Sequence, residues 1–244
     1  MSIRTILLCG ALGAACAACA QFKPPAEGGS SSGGGGGGGD GDPCARRAQI
    51  EDGEDGDDQV LTRGGRGGYL YTFADEKGSS ISPQGDDVKP VPGGADSGYA
   101  LHMKGHLTDN EEAYAGIGFS FKEPKKAYDA TQWRGVSFVA RRGEHSVGNL
   151  RVKLPDANTD PDGKVCTDCF NDFGISFQVG PEWTRYEVAF DDLKQEADWG
   201  KPRPDKLDPA HLYGLQWQVS ARNVDYDFWI DDVAFLGCPE AGQK

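Results

Sequence analysis

The sequence has few of the signatures that mark common enzyme classes. From residue 46 onward it contains no Gly-x-Ser-x-Gly nucleophile elbow, no His-Glu-x-x-His zinc motif and no phosphate-cradling glycine loop. Histidine, the most frequent general base, occurs only 4 times in 244 residues. Acidic residues are abundant, so the composition does not exclude a catalytic pair of carboxylates. The sequence therefore favours a binding protein over an enzyme.

Basic charge is also scarce. The chain carries 38 acidic and 25 basic residues, which gives a formal net charge of −13. A surface this acidic repels phosphate backbones and argues against a nucleic-acid partner. It also leaves carboxylates available for Ca²⁺, which takes oxygen ligands. After the amino terminus, no segment approaches the roughly 18 apolar residues of a membrane-spanning helix.

Residues 1–19 are typical of a lipoprotein signal peptide. Arg4 supplies the positive charge, and the short apolar stretch from Ile6 to Ala15 ends in small residues. Leu-Gly-Ala-Ala-Cys resembles the lipobox of bacterial lipoproteins, with Cys16 as the acylated residue, although Leu12 lies four residues before it instead of three. Cys19 is the alternative, and cleavage of a plain signal peptide is the other interpretation. Acylation predicts a secreted or outer-membrane lipoprotein of the bacterial envelope, held to the membrane by lipid alone.

Residues 20–45 are predicted to form a disordered tether. They are rich in Gly, Ser and Pro, and glycine is unbroken from Gly33 to Gly39. Such a tract cannot bury enough apolar surface to fold, so it would act as a flexible spacer. Residues 46–239 remain, enough for one sandwich domain with a proper core.

Four cysteines beyond the leader form an even set, as expected in an oxidising compartment. Cys44 and Cys238 flank the predicted domain, and a bridge between them would staple its ends if the first and last strands are neighbours. Cys166 and Cys169 share one loop, so a local bridge is the simplest pairing. A redox-active pair needs a helix amino terminus, and zinc needs two further ligands nearby; neither context is visible.

Apolar residues recur with period two along most of residues 46–239. Tyr99, Leu101 and Met103 alternate with polar residues, and Leu215, Trp217 and Val219 do the same. About ten such runs, separated by Gly, Pro and Asp turns, predict an all-β antiparallel sandwich. In the last run the phase switches at Asp231-Asp232, which predicts a β-bulge.

Three segments together resemble a known family. They are Ile50-Glu-Asp-Gly-Glu-Asp-Gly-Asp57, Tyr114-Ala-Gly-Ile-Gly-Phe119 and the closing Trp229-Ile-Asp-Asp-Val-Ala-Phe235. With the body between them, about residues 50 to 236 resemble carbohydrate-binding modules with the galactose-binding-like jelly roll, closest to family 11 modules and complex-I assembly-factor-like domains. The resemblance implies a glycan groove on the concave sheet.

The resemblance also implies a structural Ca²⁺ ion. In such modules it commonly joins an acid near the first strand to one in the last strand. The matching positions are Glu54, with Glu51 possible, and Asp231 or Asp232. The other interpretation is that residues 51–58 are a solvated acidic turn.

A second candidate for calcium comes from the residues themselves. Asn158, Asp160 and Asp162 alternate ahead of Gly163, as at the start of an EF-hand loop. Position twelve would be Cys169 where an EF-hand has Glu, so an isolated Asx-turn loop is an equal alternative.

Sugars are bound by aromatic faces and by side chains that hydrogen-bond hydroxyls. Trp199, in a polar loop, is the favoured aromatic platform, and the whole candidate set for a glycan is Trp199, Tyr69, Tyr71, His102, Arg151, Gln178, Gln216 and Gln218. Which polar row lies on the concave sheet is not evident from the sequence.

The sequence thus predicts a monomeric, non-catalytic surface lipoprotein that binds a polysaccharide, with β-glucan as one candidate. A structural or adhesive envelope protein that holds a protein partner is the alternative, and a glycoside hydrolase is a further one.

Overall fold

The computed structural model describes residues 42–86, 88–96 and 98–238. The predicted signal peptide, both candidate acylation cysteines, Cys16 and Cys19, and nearly all of the tether lie outside these residues. The first described element is a short helix at Pro43–Ala48, three residues before the predicted domain boundary. Asp42 caps it, since its carboxylate accepts a hydrogen bond from the Cys44 N–H, and Pro43 occupies its first turn.

Strands are the main secondary structure of the described residues. After helix α1 (Pro43–Ala48) they are β1 (Gln49–Glu51), β2 (Leu70–Ala74), β3 (Ser80–Ser82), β4 (Val91–Pro92), β5 (Tyr99–Leu107), β6 (Tyr114–Ser120), β7 (Gly135–Arg142), β8 (Asn149–Leu154), β9 (Phe173–Gln178), β10 (Thr184–Ala189), β11 (Gly214–Ser220) and β12 (Val224–Leu236). Three short 3-10 turns lie at Pro161–Gly163, Phe190–Asp192 and Pro209–His211. Within the described ranges, no helix is both long and apolar enough to cross a membrane.

The strands form two antiparallel sheets. The seven-stranded sheet has the order β10-β7-β12-β5-β3, with β1 beside β12 and β4 beside β5. The five-stranded sheet has the order β2-β6-β11-β8-β9. Neighbours in both sheets are mostly distant in the chain, as in β6 with β11, so long connections carry the chain from one sheet to the other. The predicted jelly-roll-like β-sandwich is confirmed.

The core lies between the two sheets and is formed by the alternating apolar rows. Trp217 of β11 is fully buried and meets Phe138 of β7 edge to face, with ring centroids 5.5 Å apart. Phe119 of β6 packs on the same indole at 6.0 Å. Because alternate residues of a strand point to opposite faces, the intervening polar residues of each strand face outward.

Both predicted disulfides are present. Cys44 pairs with Cys238 over a separation of 194 residues, and Cys166 pairs with Cys169 within one loop. The first is possible because β1 lies beside β12, with Gln49 opposite Ala234. It therefore fastens the beginning of the domain to its end.

The bulge predicted in the last strand is confirmed as well. Opposite β7, Asp231 pairs with Val139 but Ala234 pairs with Ser137, so β12 has one residue more than its partner here. Asp232 lies within the bulge, and its φ of 49° is in the left-handed region. As a result Asp231 turns into the protein and is only 2% exposed.

Candidate functional site

The outer face of the five-stranded sheet carries a cleft of about 800 Å³. Its floor is formed by side chains of β2, β6, β8 and β11 that alternate with the core residues. The loop between β8 and β9 and the loop after β10 rise beside it. Its lining includes Tyr71, Phe73, Tyr114, Lys125, Arg151, Lys153, Asp160, Phe170, Asn171, Asp172, Glu196, Trp199, Gln216 and Gln218.

Two glycines of β6 let neighbouring side chains lie flat on the floor of the cleft. A Cβ added to Gly116 would lie 2.3 Å from the Phe73 ring, and one added to Gly118 would lie 2.9 Å from Cγ of Gln216. The neighbouring side chains can therefore lie across the glycines of β6. A strand glycine marks such a close approach, and the Ala-Gly-Ile-Gly-Phe segment is the sequence signal for it.

Aromatic side chains line both sides of the cleft. On the β2 side, Phe73 lies between Tyr71 and Tyr114, with ring centroids 6.2 and 6.3 Å away. On the opposite side are Phe170, which is 61% exposed, and Trp199, which is 40% exposed. Exposure of large aromatic side chains to water is unfavourable, and grouped exposed aromatics are typical of surfaces that contact a ligand.

Amides and hydroxyls occupy the centre of the floor. The Nε2 of Gln216 donates to the Tyr71 hydroxyl at 2.8 Å, and the Oε1 of Gln218 accepts from Lys153 at 3.1 Å. Burial raises the pKa of Tyr71 to about 12, so at neutral pH this phenol keeps a proton that it can donate. The floor thus offers neutral donors and acceptors in fixed orientations.

Each cation that lines the cleft is paired with a carboxylate. Lys153 lies 3.0 Å from Asp172, and Arg151 lies 3.8 Å from Glu196. Lys125 bridges Asp160 at 2.7 Å and Asp162 at 3.3 Å. Burial raises the pKa of Asp172 even though Lys153 acts against it. Burial also disfavours the charged form of Arg151, and it therefore lowers the pKa of that guanidinium.

Five of the eight side chains predicted to bind a glycan line this cleft: Trp199, Tyr71, Arg151, Gln216 and Gln218. Four of them lie on β2, β8 and β11, which are separated in sequence and are brought together by the order β2-β6-β11-β8. Trp199 lies in the loop after β10.

The other three predicted side chains lie outside the cleft. His102 is on the seven-stranded sheet, stacked on Trp229 at 3.8 Å and hydrogen-bonded to Asp227 at 2.9 Å. Gln178 ends β9, where its amide reaches Asn149 at 3.5 Å. Tyr69 precedes Tyr71 by two residues and does not reach the lining. Alternation places all three on outward faces, but only strand order decides whether an outward face borders the cleft.

Sequence reasoning missed several cleft residues. Phe73 shares the phase of Tyr71, and Tyr114 shares the phase of the two glycines of β6, so alternation carried a signal for both. Phe170 lies in the β8–β9 loop with a φ of 75°, an unusual backbone conformation for a bulky residue. No periodic pattern covers that loop, and its position depends on the tertiary contacts.

An acidic cluster lies where β1 meets the bulge of β12. Glu51 is 2% exposed; its Oε1 accepts from the Gly53 N–H at 2.7 Å, and its Oε2 is buried with no hydrogen-bond partner among the described residues. The carboxylate of Asp231 accepts from the Ala95 N–H at 2.9 Å and from the Asp232 N–H at 2.7 Å. Glu54 instead accepts from the Gly98 and Tyr99 N–H groups.

Electrostatics in this cluster disfavour so many negative charges. Burial raises the pKa of Glu51 to about 8, and the neighbouring Asp55, Asp52 and Asp57 add to the effect. Burial also raises the pKa of Asp232, helped by the charge of Asp231. In the described part of the chain, no three His, Cys, Asp or Glu side chains are arranged to hold a metal by themselves. A Ca²⁺ ion here would therefore need main-chain or water oxygens as further ligands, which Ca²⁺ accepts.

The second predicted calcium loop is organised around a lysine. Asp160 and Asp162 both face the ammonium of Lys125, while the Asn158 amide donates to Asp156 at 3.2 Å. Asp160 also accepts from the Asp162 N–H at 2.9 Å, as in an Asx turn. These contacts account for the three side chains without a metal, and a calcium role for them stays a prediction.

Solved carbohydrate-binding modules share this fold. The family 11 module of the cellulosomal cellulase Lic26A-Cel5E of Clostridium thermocellum matches with a TM-score of 0.57 at 16% identity, over 80% of this chain and 98% of that one. A family 11 module from Clostridium thermocellum in complex with a β-1,3-1,4-mixed-linked tetrasaccharide matches with a TM-score of 0.53 at 18% identity, over 70% and 91%. A family 30 module matches with a TM-score of 0.52 at 10% identity, over 81% and 90%.

At these identities the matches establish the fold. No family model and no curated protein sequence matches the chain. The architecture is therefore that of the carbohydrate-binding-module sandwiches. The part of the sequence resemblance that concerned complex-I assembly-factor-like domains is unsupported.

Proposed function

We propose that this protein is a non-catalytic module that binds an uncharged polysaccharide, with β-glucan as the first candidate, in the cleft of the five-stranded sheet. The observation that carries the proposal is the cleft itself: an amide-rich floor between two aromatic sides. Sugar rings present apolar faces to aromatics and hydroxyls to amides, so this combination fits a glycan chain.

The charges of the cleft favour a neutral ligand. Five carboxylates and three cations line it, namely Glu111, Glu112, Asp160, Asp172 and Glu196 against Lys125, Arg151 and Lys153. Since the three cations are already paired, a uronate or sulfated chain would meet a net negative surface without a free cation in the lining. The structural match to a module solved with a mixed-linked β-glucan tetrasaccharide adds support for a neutral glucan.

The aromatics also bear on the two alternatives. A protein-binding envelope role would be favoured by an outer face without grouped aromatics, whereas Phe73, Tyr114, Phe170 and Trp199 all border one cleft. A hydrolase would need a free carboxylate pair, but the two buried acids of the lining, Asp160 and Asp172, are each paired with a lysine. Binding is the function that these contacts support best.

We further propose that a structural Ca²⁺ ion lies between Glu51 and Asp231. The buried and unpartnered Oε2 of Glu51 supports this, because an ionised carboxylate is stable in such a place only beside a cation. Glu54 is less suitable, since it is exposed to solvent, whereas Glu51 is 2% exposed. The ion would fix the first strand and the loop at Ala95 to the last strand, away from the cleft.

We also propose that the module is carried on the bacterial surface as a lipoprotein. The support is in the sequence: an apolar leader that ends at Cys16 or Cys19, and a glycine-rich spacer before residue 46. Incorporation of labelled fatty acid into the expressed precursor, compared in C16S and C19S variants, would identify the acylated residue. No incorporation in the wild type would reject the anchor.

The test of glycan binding is an array of neutral and charged polysaccharides probed with the purified protein in calcium and in EDTA. We expect retention on a mixed-linked or other neutral β-glucan and none on polyuronates, without release of reducing ends. The W199A variant should bind at least about tenfold more weakly, because it removes an exposed aromatic of the cleft.

A matched control is W183A, which removes the tryptophan directly before β10 of the other sheet, where Trp183 packs under Arg141. It should leave the affinity unchanged. Failure of the wild type to bind any polysaccharide with calcium present would reject the proposal. Equal losses in W183A and W199A would reject the cleft as the site.

A further inference from the structure

Phe170 and Trp199 form one aromatic lip of the cleft, but neither residue belongs to a strand. Phe170 lies in the β8–β9 loop, and Trp199 lies in the loop after β10. A strand side chain is held by its ladder, whereas a loop side chain stays in place only through the contacts of its loop. The position of this lip therefore depends on what fastens the two loops.

The two loops are joined by four hydrogen bonds at one point, the longest of which runs from the Asp168 N–H to the Lys201 carbonyl at 3.4 Å. The Lys201 N–H donates to the Asp168 carbonyl, and the Thr167 N–H donates to the Lys201 carbonyl, both at 2.9 Å. The Gly200 N–H, directly after Trp199, donates to the Asp168 carboxylate at 2.9 Å. Every one of these bonds uses a residue that lies between two cysteines.

The Cys166–Cys169 disulfide encloses that point. It closes a ring that contains only Thr167 and Asp168 as intervening residues. Cys169 itself lines the cleft and is followed directly by Phe170. The bridge thus limits the conformations of Thr167 and Asp168, which hold the Trp199 loop. It also limits the direction of the chain at Phe170, which directly follows Cys169.

Asn171 extends the same connection. Its side chain, 2% exposed, donates to the Trp199 carbonyl at 2.6 Å and to the Glu196 carbonyl at 3.0 Å. Its Oδ1 accepts from the Glu196 N–H at 2.8 Å. Residues 167–171 therefore contact the Trp199 loop both before Trp199, at Glu196, and after it, at Gly200 and Lys201.

We propose that Cys166 and Cys169 are positioning residues for glycan binding, which hold the lip of Phe170 and Trp199 in its binding geometry and leave the strand side chains of the cleft floor in place. The inference rests on the proposed function. The bridge spans 3 positions, against 194 for Cys44–Cys238, so it constrains far less of the unfolded chain. Its effect is local to the lip, whereas that of Cys44–Cys238 is global.

The first test needs no ligand. Hydrogen exchange of the Gly200 and Lys201 amides should be at least about tenfold faster in C166S/C169S than in the wild type, with the β12 amides unchanged. D168A, which keeps the bridge but removes the carboxylate that binds Gly200, should accelerate exchange at Gly200. It serves as the second variant should the double substitution not fold. Unchanged exchange at Gly200 and Lys201 in C166S/C169S overturns the positioning role, and unchanged exchange at Gly200 in D168A overturns the contact through which the bridge would act.

The second test measures affinity for the neutral glucan retained by the wild type. C166S/C169S should bind at least about fivefold more weakly, and C44S/C238S, although less stable, should bind like the wild type below its unfolding transition. W199A should also cost less affinity in the C166S/C169S background than alone, since both changes remove the same lip.

The outcomes separate the two proposals. If wild-type binding depends on Trp199 and C166S/C169S binds equally well, the positioning role is overturned. The glycan function then stands. A wild type that binds no glycan rejects the proposed function and, with it, any role of the bridge in binding, even where the exchange data show that the bridge orders the lip.

Discussion

Replacing Glu51 by Gln gives a sharp test of the proposed calcium site, because the effect on stability should change sign with calcium. In the calcium-free protein, burial raises the pKa of Glu51 from its ordinary value of 4.5 to about 8. The unfolded chain therefore loses this proton near pH 4.5, and the folded chain keeps it up to about pH 8. Between these values the folded state binds more protons, so the free energy of unfolding falls as the pH rises.

The magnitude follows from the difference between the two pKa values. At about 1.4 kcal/mol per pH unit, ionisation of Glu51 costs the calcium-free protein about 4 kcal/mol by pH 8. E51Q removes that cost but leaves a buried amide incompletely bonded, at about 1–3 kcal/mol. E51Q in EDTA at pH 8 should therefore be more stable than the wild type by about 1–3 kcal/mol, and this advantage should vanish near pH 5.

Calcium should reverse the order of stability. At about 1,000 times its Kd, an ion that binds only the folded state contributes about 4.1 kcal/mol, which exceeds the advantage of E51Q. The wild type should gain this stabilisation, and E51Q should gain little, because the variant lacks the charged ligand. Thermal unfolding in EDTA and in calcium at pH 5, 6.5 and 8 measures both effects, at about 2–4 °C per kcal/mol for a domain of this size.

E54Q is the matched control, since Glu54 is exposed and its oxygen can still accept from Gly98 and Tyr99 as an amide. It should keep both the calcium response and the pH profile of the wild type. A calcium response that is lost in E54Q and retained in E51Q would refute the assignment to Glu51. A flat stability profile of the wild type in EDTA would refute the electrostatic reasoning itself.

Three further changes test other parts of the structure. C44S/C238S opens a link across 194 residues and should lower the free energy of unfolding by about 4 kcal/mol, seen as a Tm lower by about 8–16 °C; a change below 3 °C would contradict this. K153M leaves the buried Asp172 carboxylate without its ammonium and should cost about 3–5 kcal/mol in denaturant unfolding, most of which K153M/D172N should restore. Y114A should weaken glucan binding several-fold in calorimetry without a shift in Tm, since Tyr114 is 37% exposed; unaltered affinity would exclude the β2 side of the cleft from the site.

Much of the fold could be predicted because its signals are local. Period-two alternation identified the buried row of β11, in which Leu215, Trp217 and Val219 are all fully buried. The change of phase at Asp231-Asp232 located the bulge, and the positions of Cys44 and Cys238 at the ends of the domain indicated their pairing. Each of these inferences needs only neighbouring residues or the order of elements along the chain.

The candidate site was predicted less completely because it depends on strand order. Gln216 and His102 both lie on polar rows that alternate with core residues, and nothing local distinguishes one row from the other. Pairing of β11 with β6 and β8 places Gln216 in the cleft, whereas pairing of β5 with β12 places His102 on the opposite sheet, against Trp229. Such pairings join residues from 63 positions apart (Lys153 and Gln216) to 129 positions apart (Leu101 and Ile230), which a local pattern does not encode.

By itself, then, the sequence indicated the simplest pairing of the four cysteines. It determined where the last strand bends and most of the buried rows, with Tyr99 of β5 as an exception at 40% exposed. The physical reason is that backbone geometry makes side-chain direction alternate along every strand, whatever its partners. Only the tertiary structure decided which outward rows meet in one cleft, that Lys125 neutralises Asp160 and Asp162, and that Glu51, rather than Glu54, carries the buried unpartnered oxygen. These depend on contacts between distant segments, since charge, burial and ligand geometry arise only where such segments meet.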